Sequence, residues 1–202
     1  MKTKILSIFL MFVVISAISK STYAATVNSA DYVVLNDIKA INKIEIHGNV
    51  ELFISDGSAE QVKVYNKYYS EHALVQSNNG VLRISSYNAE KLVVWVASEN
   101  LSSISAYDNA EVISFGKVSK IEFSVDLHDY ATAKLNFDAY SADVTLTGYS
   151  KIELSGYVNE FSLNRSESSI ITKSDILTDH YNESKRVIAQ TVTNEYDLLG
   201  LE

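Results

Sequence analysis

Rings and oxygen-bearing side chains recur together in the second half of this chain. Tyr107, Asp108 and Asn109 come first, then His128, Asp129 and Tyr130, then Tyr149 behind Gly148. Aromatic rings beside Asp and Asn suit the recognition of sugars: a ring covers an apolar C–H face while carboxylates and amides bond the hydroxyls. The same residue types also make ordinary polar turns, with tyrosine at half-buried edges. Arg165, Glu167, Tyr181, Asn182 and Glu183 continue the series and are expected at equivalent edges.

Other chemistries find fewer residues. The four histidines (His47, His72, His128 and His180) show no His-x-x-x-His spacing, and there is no cysteine, so a zinc site and a thiol nucleophile have no basis. Oxygen ligands for Ca²⁺ are plentiful, but the glycine-aspartate nonapeptide of calcium-binding β-rolls is absent. No metal and no cofactor is therefore expected. Gly-rich phosphate loops, a Gly-x-Ser-x-Gly elbow and His-Glu-x-x-His are also missing. Asp126, Asp129 and Asp143 could converge as the paired carboxylates of a small carbohydrate-active enzyme. Against a non-catalytic binding role, that reading is the alternative; a second alternative is a carrier of lipid or another hydrophobic ligand, which would need a cavity between the N-terminal part and the first coils.

The elements that must position these residues are strands. Period-2 alternation runs through Ile44-Glu45-Ile46, Val62-Lys63-Val64, Val81 to Ile84, Leu92 to Val96, Ile121 to Val125, Lys134 to Phe137, Asp143 to Leu146 and Lys151 to Leu154. Such alternation turns one side-chain set inward and the other to water. Asn78-Asn79-Gly80 is a strong hairpin signal. Trp95 is expected in the core, and Tyr65, Tyr68 and Tyr69 are expected to pack a cap.

Small residues behind polar turn-formers recur at Ala110, Ala131, Ser150, Ser168 and Ser184, at intervals of 21, 19, 18 and 16. A repeat of about 20 residues is the mark of a solenoid, in which each coil buries its apolar face only against its neighbours. Neither a leucine-rich framework nor a hexapeptide period is present. The expectation is an all-β, single-domain parallel β-helix (β-solenoid), with irregular N-terminal strands and short coils of roughly 16–21 residues.

At the N-terminus, Lys2 and Lys4 precede an apolar run from Ile5 to Ile18, and Thr22-Tyr23-Ala24 closes it. This is the pattern of a secretory leader, too short to span a bilayer. Without residues 1–24 the chain carries 14 basic against 25 acidic side chains, a net charge of −11. An acidic surface repels nucleic acid and anionic headgroups. With no cysteine to lipidate and no later apolar span, the expected product is exported, without a transmembrane span, and periplasmic, at the outer surface or secreted.

One family resemblance gathers these features. Ile44-Glu45-Ile46-His47-Gly48-Asn49-Val50-Glu51-Leu52, a Gly57 turn into Val62-Lys63-Val64, Asn79-Gly80-Val81-Leu82-Arg83-Ile84, the Leu92–Val96 strand, Asn100-Leu101-Ser102-Ser103-Ile104 and the degenerate small-Gly-small coils follow in order. The chain resembles the family described as putative auto-transporter adhesin, head GIN domain (DUF2807), over roughly residues 38–187. The resemblance implies an exported parallel β-helical domain and carries no catalytic residues. Only Gly148 matches the family's turn glycine, so the turns around Tyr130 and Glu183 are expected to differ in geometry. The domain reading is a leader over 1–24, a leader or cap over 25–37, the GIN-like domain over 38–187 and a cap or tail over 188–202. Function reads as adhesin-like binding of a glycan or an envelope protein.

Overall fold

The computed structural model describes residues 32–186, apart from 39 and 66–68. The expected leader and C-terminal tail lie outside the described residues, as does Tyr68. Thirteen strands form one curled, mixed sheet, with a single 3-10 turn at Tyr69–Glu71. They are β1 (Val33–Leu35), β2 (Lys43–Gly48), β3 (Val50–Ser55), β4 (Gln61–Val64), β5 (Ala73–Asn78), β6 (Val81–Ser86), β7 (Leu92–Ala97), β8 (Ser103–Ala106), β9 (Glu111–Ser114), β10 (Val118–Leu127), β11 (Thr132–Leu146), β12 (Lys151–Ser166) and β13 (Ile170–Arg186). Each predicted alternating segment lies in one of these strands.

Pairing from β6 and β7 through β13 is parallel and in register, apart from a register shift between Glu153 and Ser155 where β12 meets β13, while β1, β4 and β5 join the sheet antiparallel. The sheet is therefore mixed, not the uniform parallel helix the repeat implied. The hairpin at Asn79-Gly80 forms between β5 and β6, with φ of 50° and 79° at its two central residues. Both are left-handed, as a type I′ turn requires. β1 occupies part of the segment read as a leader or cap and pairs with β4.

In-register stacking turns alternation into columns. Leu82 lies beside Ile44, Ile44 beside Ile104, Ile104 beside Val125, Val125 beside Val144 and Val144 beside Leu163. Each is at most 1 % exposed. A second column runs Val94, Leu52, Val112, Ala133 and Ile152. Burying each large aliphatic side chain contributes about 1.5–3 kcal/mol, so the columns carry the fold. From β8 onward, residues facing each other on neighbouring strands are offset by 21, then 19, then 19–20 positions.

Spatial order departs from chain order at one place. β2 lies between β6 and β8, and β3 between β7 and β9. Trp95 also departs from expectation. It alternates with buried Val94 and Val96 and so stands on the outer face of β7, half-exposed.

The columns end at β13 by changing chemistry. Where β12 places Phe161, Leu163 and Arg165, β13 places Tyr181, Glu183 and Lys185. The Arg165 Nε donates to Glu183 Oε1 at 2.7 Å, the Tyr181 hydroxyl donates to Glu183 Oε2, and Lys173 Nζ lies 3.4 Å from the Tyr181 ring centre. β13 is the last strand of the stack among the described residues, and a polar rung suits that position. The Tyr181 hydroxyl, then the Arg165 guanidinium, hold the Glu183 carboxyl below its ordinary value of 4.5. A depressed folded-state pKa gives stability that is present above the unfolded value and lost as pH falls through the folded one. Thermal stability of the native chain should therefore fall below that of neutral pH as the solution is acidified past pH 4.5, and Glu183→Gln should lose part of this slope. Identical melting-temperature profiles for the two proteins between neutral and acid pH would remove Glu183 from the cap.

Candidate functional site

The corner between paired strands is built the same way on successive rungs. Tyr107-Asp108-Asn109-Ala110, His128-Asp129-Tyr130-Ala131 and Thr147-Gly148-Tyr149-Ser150 each close with a hydrogen bond from the fourth N–H to the first C=O, at 3.2, 2.9 and 3.4 Å. The second residue has positive φ each time: 60° at Asp108, 56° at Asp129 and 66° at Gly148. The last residue, Ala110, Ala131 or Ser150, is fully buried. The left-handed position is thus two before the small anchor, and Tyr130 does not occupy it. Asp tolerates this conformation where most side chains do not, so one turn geometry serves glycine and aspartate alike.

All seven predicted site residues fall on this column. Tyr130 N–H donates to Asp108 O at 3.0 Å and Tyr149 N–H to Asp129 O at 2.7 Å, which fixes each corner on the one before it. The Tyr130 and Tyr149 rings stack at 5.5 Å with 8° between planes, and they are 61 % and 59 % exposed. Asn109 and Asp129 are exposed beside them, whereas Tyr107, Asp108 and His128 are half-buried.

Sequence reasoning missed His47 and Tyr87. Gly48, with φ of 81°, is the equivalent left-handed residue one rung earlier, because β2 stacks on β8. His47 therefore stacks on Tyr107, and Tyr107 on His128, each at 4.4 Å. His128 Nδ1 lies 2.8 Å from Thr147 Oγ1 and ends the ring series. Asp108 Oδ2 accepts from Gly48 N–H at 2.9 Å and from the exposed Tyr87 hydroxyl at 3.2 Å. Asp129 Oδ2 accepts from Asp108 N–H at 3.2 Å. The available signal was His47-Gly48-Asn49-Val50 itself, which matches Thr147-Gly148-Tyr149-Ser150 in pattern.

The later members of the expected series separate. Glu167 continues the column in the turn after β12, where the Ser166 and Ser168 hydroxyls both donate to Gly148 O. The buried anchor there is Ser169, one residue beyond the expected Ser168. Arg165 lies within β12, and Tyr181, Asn182, Glu183 and Ser184 lie within β13, so no turn exists at Ser184. The interval of 16 is thereby replaced by the strand offset of 20 that sets Asn164 against Ser184.

The three carboxylates of the enzyme alternative do not stack. Asp126 faces Thr145, Asp143 lies between Ser124 and Ser162, and Asp129 belongs to the corner. Among the described residues no group of three or more His, Asp or Glu side chains is placed to hold a metal ion. No described helix is long and apolar enough to cross a membrane.

With the corner column and parallel rungs in view, comparison with known proteins decides the family. The model of the putative auto-transporter adhesin, head GIN domain, matches residues 40–186. The chain belongs to this family. Crystal structures of two putative adhesins share the GIN-domain chain's fold. The one from Bacteroides fragilis NCTC 9343 has a TM-score of 0.67 at 12% identity over 77% of each chain. The one from Parabacteroides distasonis ATCC 8503 has a TM-score of 0.62 at 13% identity, covering 77% of this chain and 78% of that one. A putative lipid binding protein from the latter organism aligns at 0.57 and 14%, over 77% of this chain and 80% of its own. No curated protein is significantly similar in sequence.

The double role of Asp108 is open to test. Asp108→Ala removes two hydrogen-bond acceptors while keeping a Cβ at positive φ, and should cost about 2–3 kcal/mol. Asp108→Gly removes the same acceptors but relieves the backbone, and should cost about 1 kcal/mol less. Urea denaturation reads both, and equal losses would show that the left-handed turn carries no strain.

Proposed function

We propose that this protein is an exported, non-catalytic envelope or surface protein that binds in the manner of an adhesin, through the corner column, with a glycan as the favoured ligand and an envelope protein as the other. The observation that carries this reading is the exposed pair of parallel rings, Tyr130 and Tyr149, flanked by Asp129 and Asn109 on adjacent rungs. Rings set by a rigid stack present apolar faces without ordering cost, and carboxylate and amide oxygens within the same strip supply hydroxyl partners. Tyr107, Asp108 and His128 act beneath them as the layer that holds the strip in place.

Supporting context comes from several levels. Family membership points to adhesion, and the structural neighbours named above are described as putative adhesins and a putative lipid binding protein. The leader pattern over residues 1–24 supports export, to the periplasm, outer surface or medium. Offsets of 19–21 between facing residues support reading the second half as coils of a parallel β-helix. On this reading the domain over 38–187 does the binding, with 25–37 and 188–202 as its flanks.

A glycan array probed with the protein, followed by titration of any hit, tests the proposal. Replacing both Tyr130 and Tyr149 with alanine should weaken binding by about fivefold or more, since two ring contacts at roughly 0.5–1.5 kcal/mol each are lost. Both side chains are exposed, so folding should be unchanged by circular dichroism. A silent array, or a hit that the double variant binds equally well, would remove glycan recognition from the column.

A further inference from the structure

A second surface lies on the outer face of the sheet, where the antiparallel cap meets the first parallel rungs. Phe53 of β3 is in register with Trp95 of β7, and Trp95 with Lys63 of β4. Together Phe53, Tyr65, Val93, Trp95 and Phe115 line an open groove of about 410 Å³. Phe115 is 72% exposed and Tyr65 44%. Apolar rings converging on one open groove mark a ligand site more often than incidental exposure does.

The lining selects the ligand class. Among the described residues its side-chain polar atoms are the Tyr65 hydroxyl and the Trp95 indole N–H, too few to satisfy the hydroxyls of a sugar. Polar groups buried there without partners would cost binding energy. An alkyl chain carries no such cost. Beside Trp95 lies an ammonium: Lys63 Nζ is 4.6 Å from the Trp95 ring and 5.5 Å from the Tyr32 ring. Cation–π contacts hold the ammonium in position without neutralising it. Among the described residues no carboxylate pairs with Lys63, in a chain whose net charge is −8. An ammonium with no carboxylate partner among the described residues, set beside an apolar groove, complements an acid head on an apolar tail.

We infer that this groove binds a monomeric single-chain carboxylic acid of the fatty-acid type, its chain lying against Phe53, Val93, Trp95 and Phe115 and its carboxylate paired with Lys63. A bilayer is the poorer fit. One lysine on an acidic surface gives no electrostatic attraction to an anionic membrane, and the groove is concave where a membrane is flat. The site is separate from the corner column, and it stands whether or not that column binds a glycan.

Trp95 is the sole tryptophan of the chain and serves as a reporter within the site. Below micelle-forming concentration, 2-bromododecanoate should quench its emission saturably, because a bromine next to a carboxylate paired with Lys63 is held beside the indole. Dodecanoate should compete, with dodecanol roughly tenfold weaker for want of the charged hydrogen bond and dodecyltrimethylammonium weaker still. In Lys63→Gln the acid should drop to the affinity of the alcohol. In Phe115→Ser, a change at an exposed side chain, acid and alcohol should weaken together while circular dichroism stays native. Absence of saturable quenching overturns the proposal. So does equal affinity for the three head groups in the native protein, or an unchanged preference for the acid in Lys63→Gln.

Discussion

In-register parallel stacking is the constraint from which the rest of this structure follows. Once Ile104 must sit beside Val125, and Val125 beside Val144, each rung has to place its inward residues at the same depth as the one before. An insertion would turn the apolar set outward for the remainder of a strand. The corner absorbs this demand: a left-handed residue followed two positions later by a fully buried one recurs at Gly48/Val50, Asp108/Ala110, Asp129/Ala131 and Gly148/Ser150. Backbone geometry is held constant there while side-chain identity is free to vary.

That freedom is where functional residues can be accommodated. A corner strip copied from rung to rung lies outside the core, so Tyr130 and Tyr149 can be exposed without loss of packing. The acceptors on Asp108 and Asp129 tie neighbouring corners to one another, so the strip is rigid even though it is polar. The aromatic groove has a different origin. It forms where β4 replaces a parallel rung with an antiparallel one, and the outward residues Trp95 and Lys63 then come from strands running in opposite directions.

Much of this architecture was legible in the sequence, for local reasons. Alternation identified the strands because each has one inward face, and Asn79-Gly80 identified its hairpin because both residues reach positive φ. The corner residues were legible because the rungs from β8 to β12 follow one another in the chain. What failed depended on non-local information. His47 could be aligned beneath Tyr107 only by knowing that β2 inserts beside β8, 60 positions on. Trp95 was misplaced because a strand with Val at each neighbouring position gives no sign of which face is inward. Ser184 repeated the turn pattern in composition, yet it lies within a continuous strand, where the polar residues belong to the end of the stack.

The insertion of β2 and β3 between β6–β7 and β8–β9 also sets the order in which the molecule can assemble. A repeat array whose rungs follow the chain can grow from either end by local additions, each closing a loop of some 20 residues. Here the N-terminal rung has both edges unsatisfied until segments far along the chain arrive: Leu82 meets Ile44 across 38 positions and Ile104 meets it across 60. Loop-closure entropy of that span must be met before either contact stabilises anything, which raises contact order in one half only. The rungs from β8 to β13 hold the contacts of shorter span, 19 to 21 positions apart. The pairs made by the first rung are thus among those with the longest loops to close.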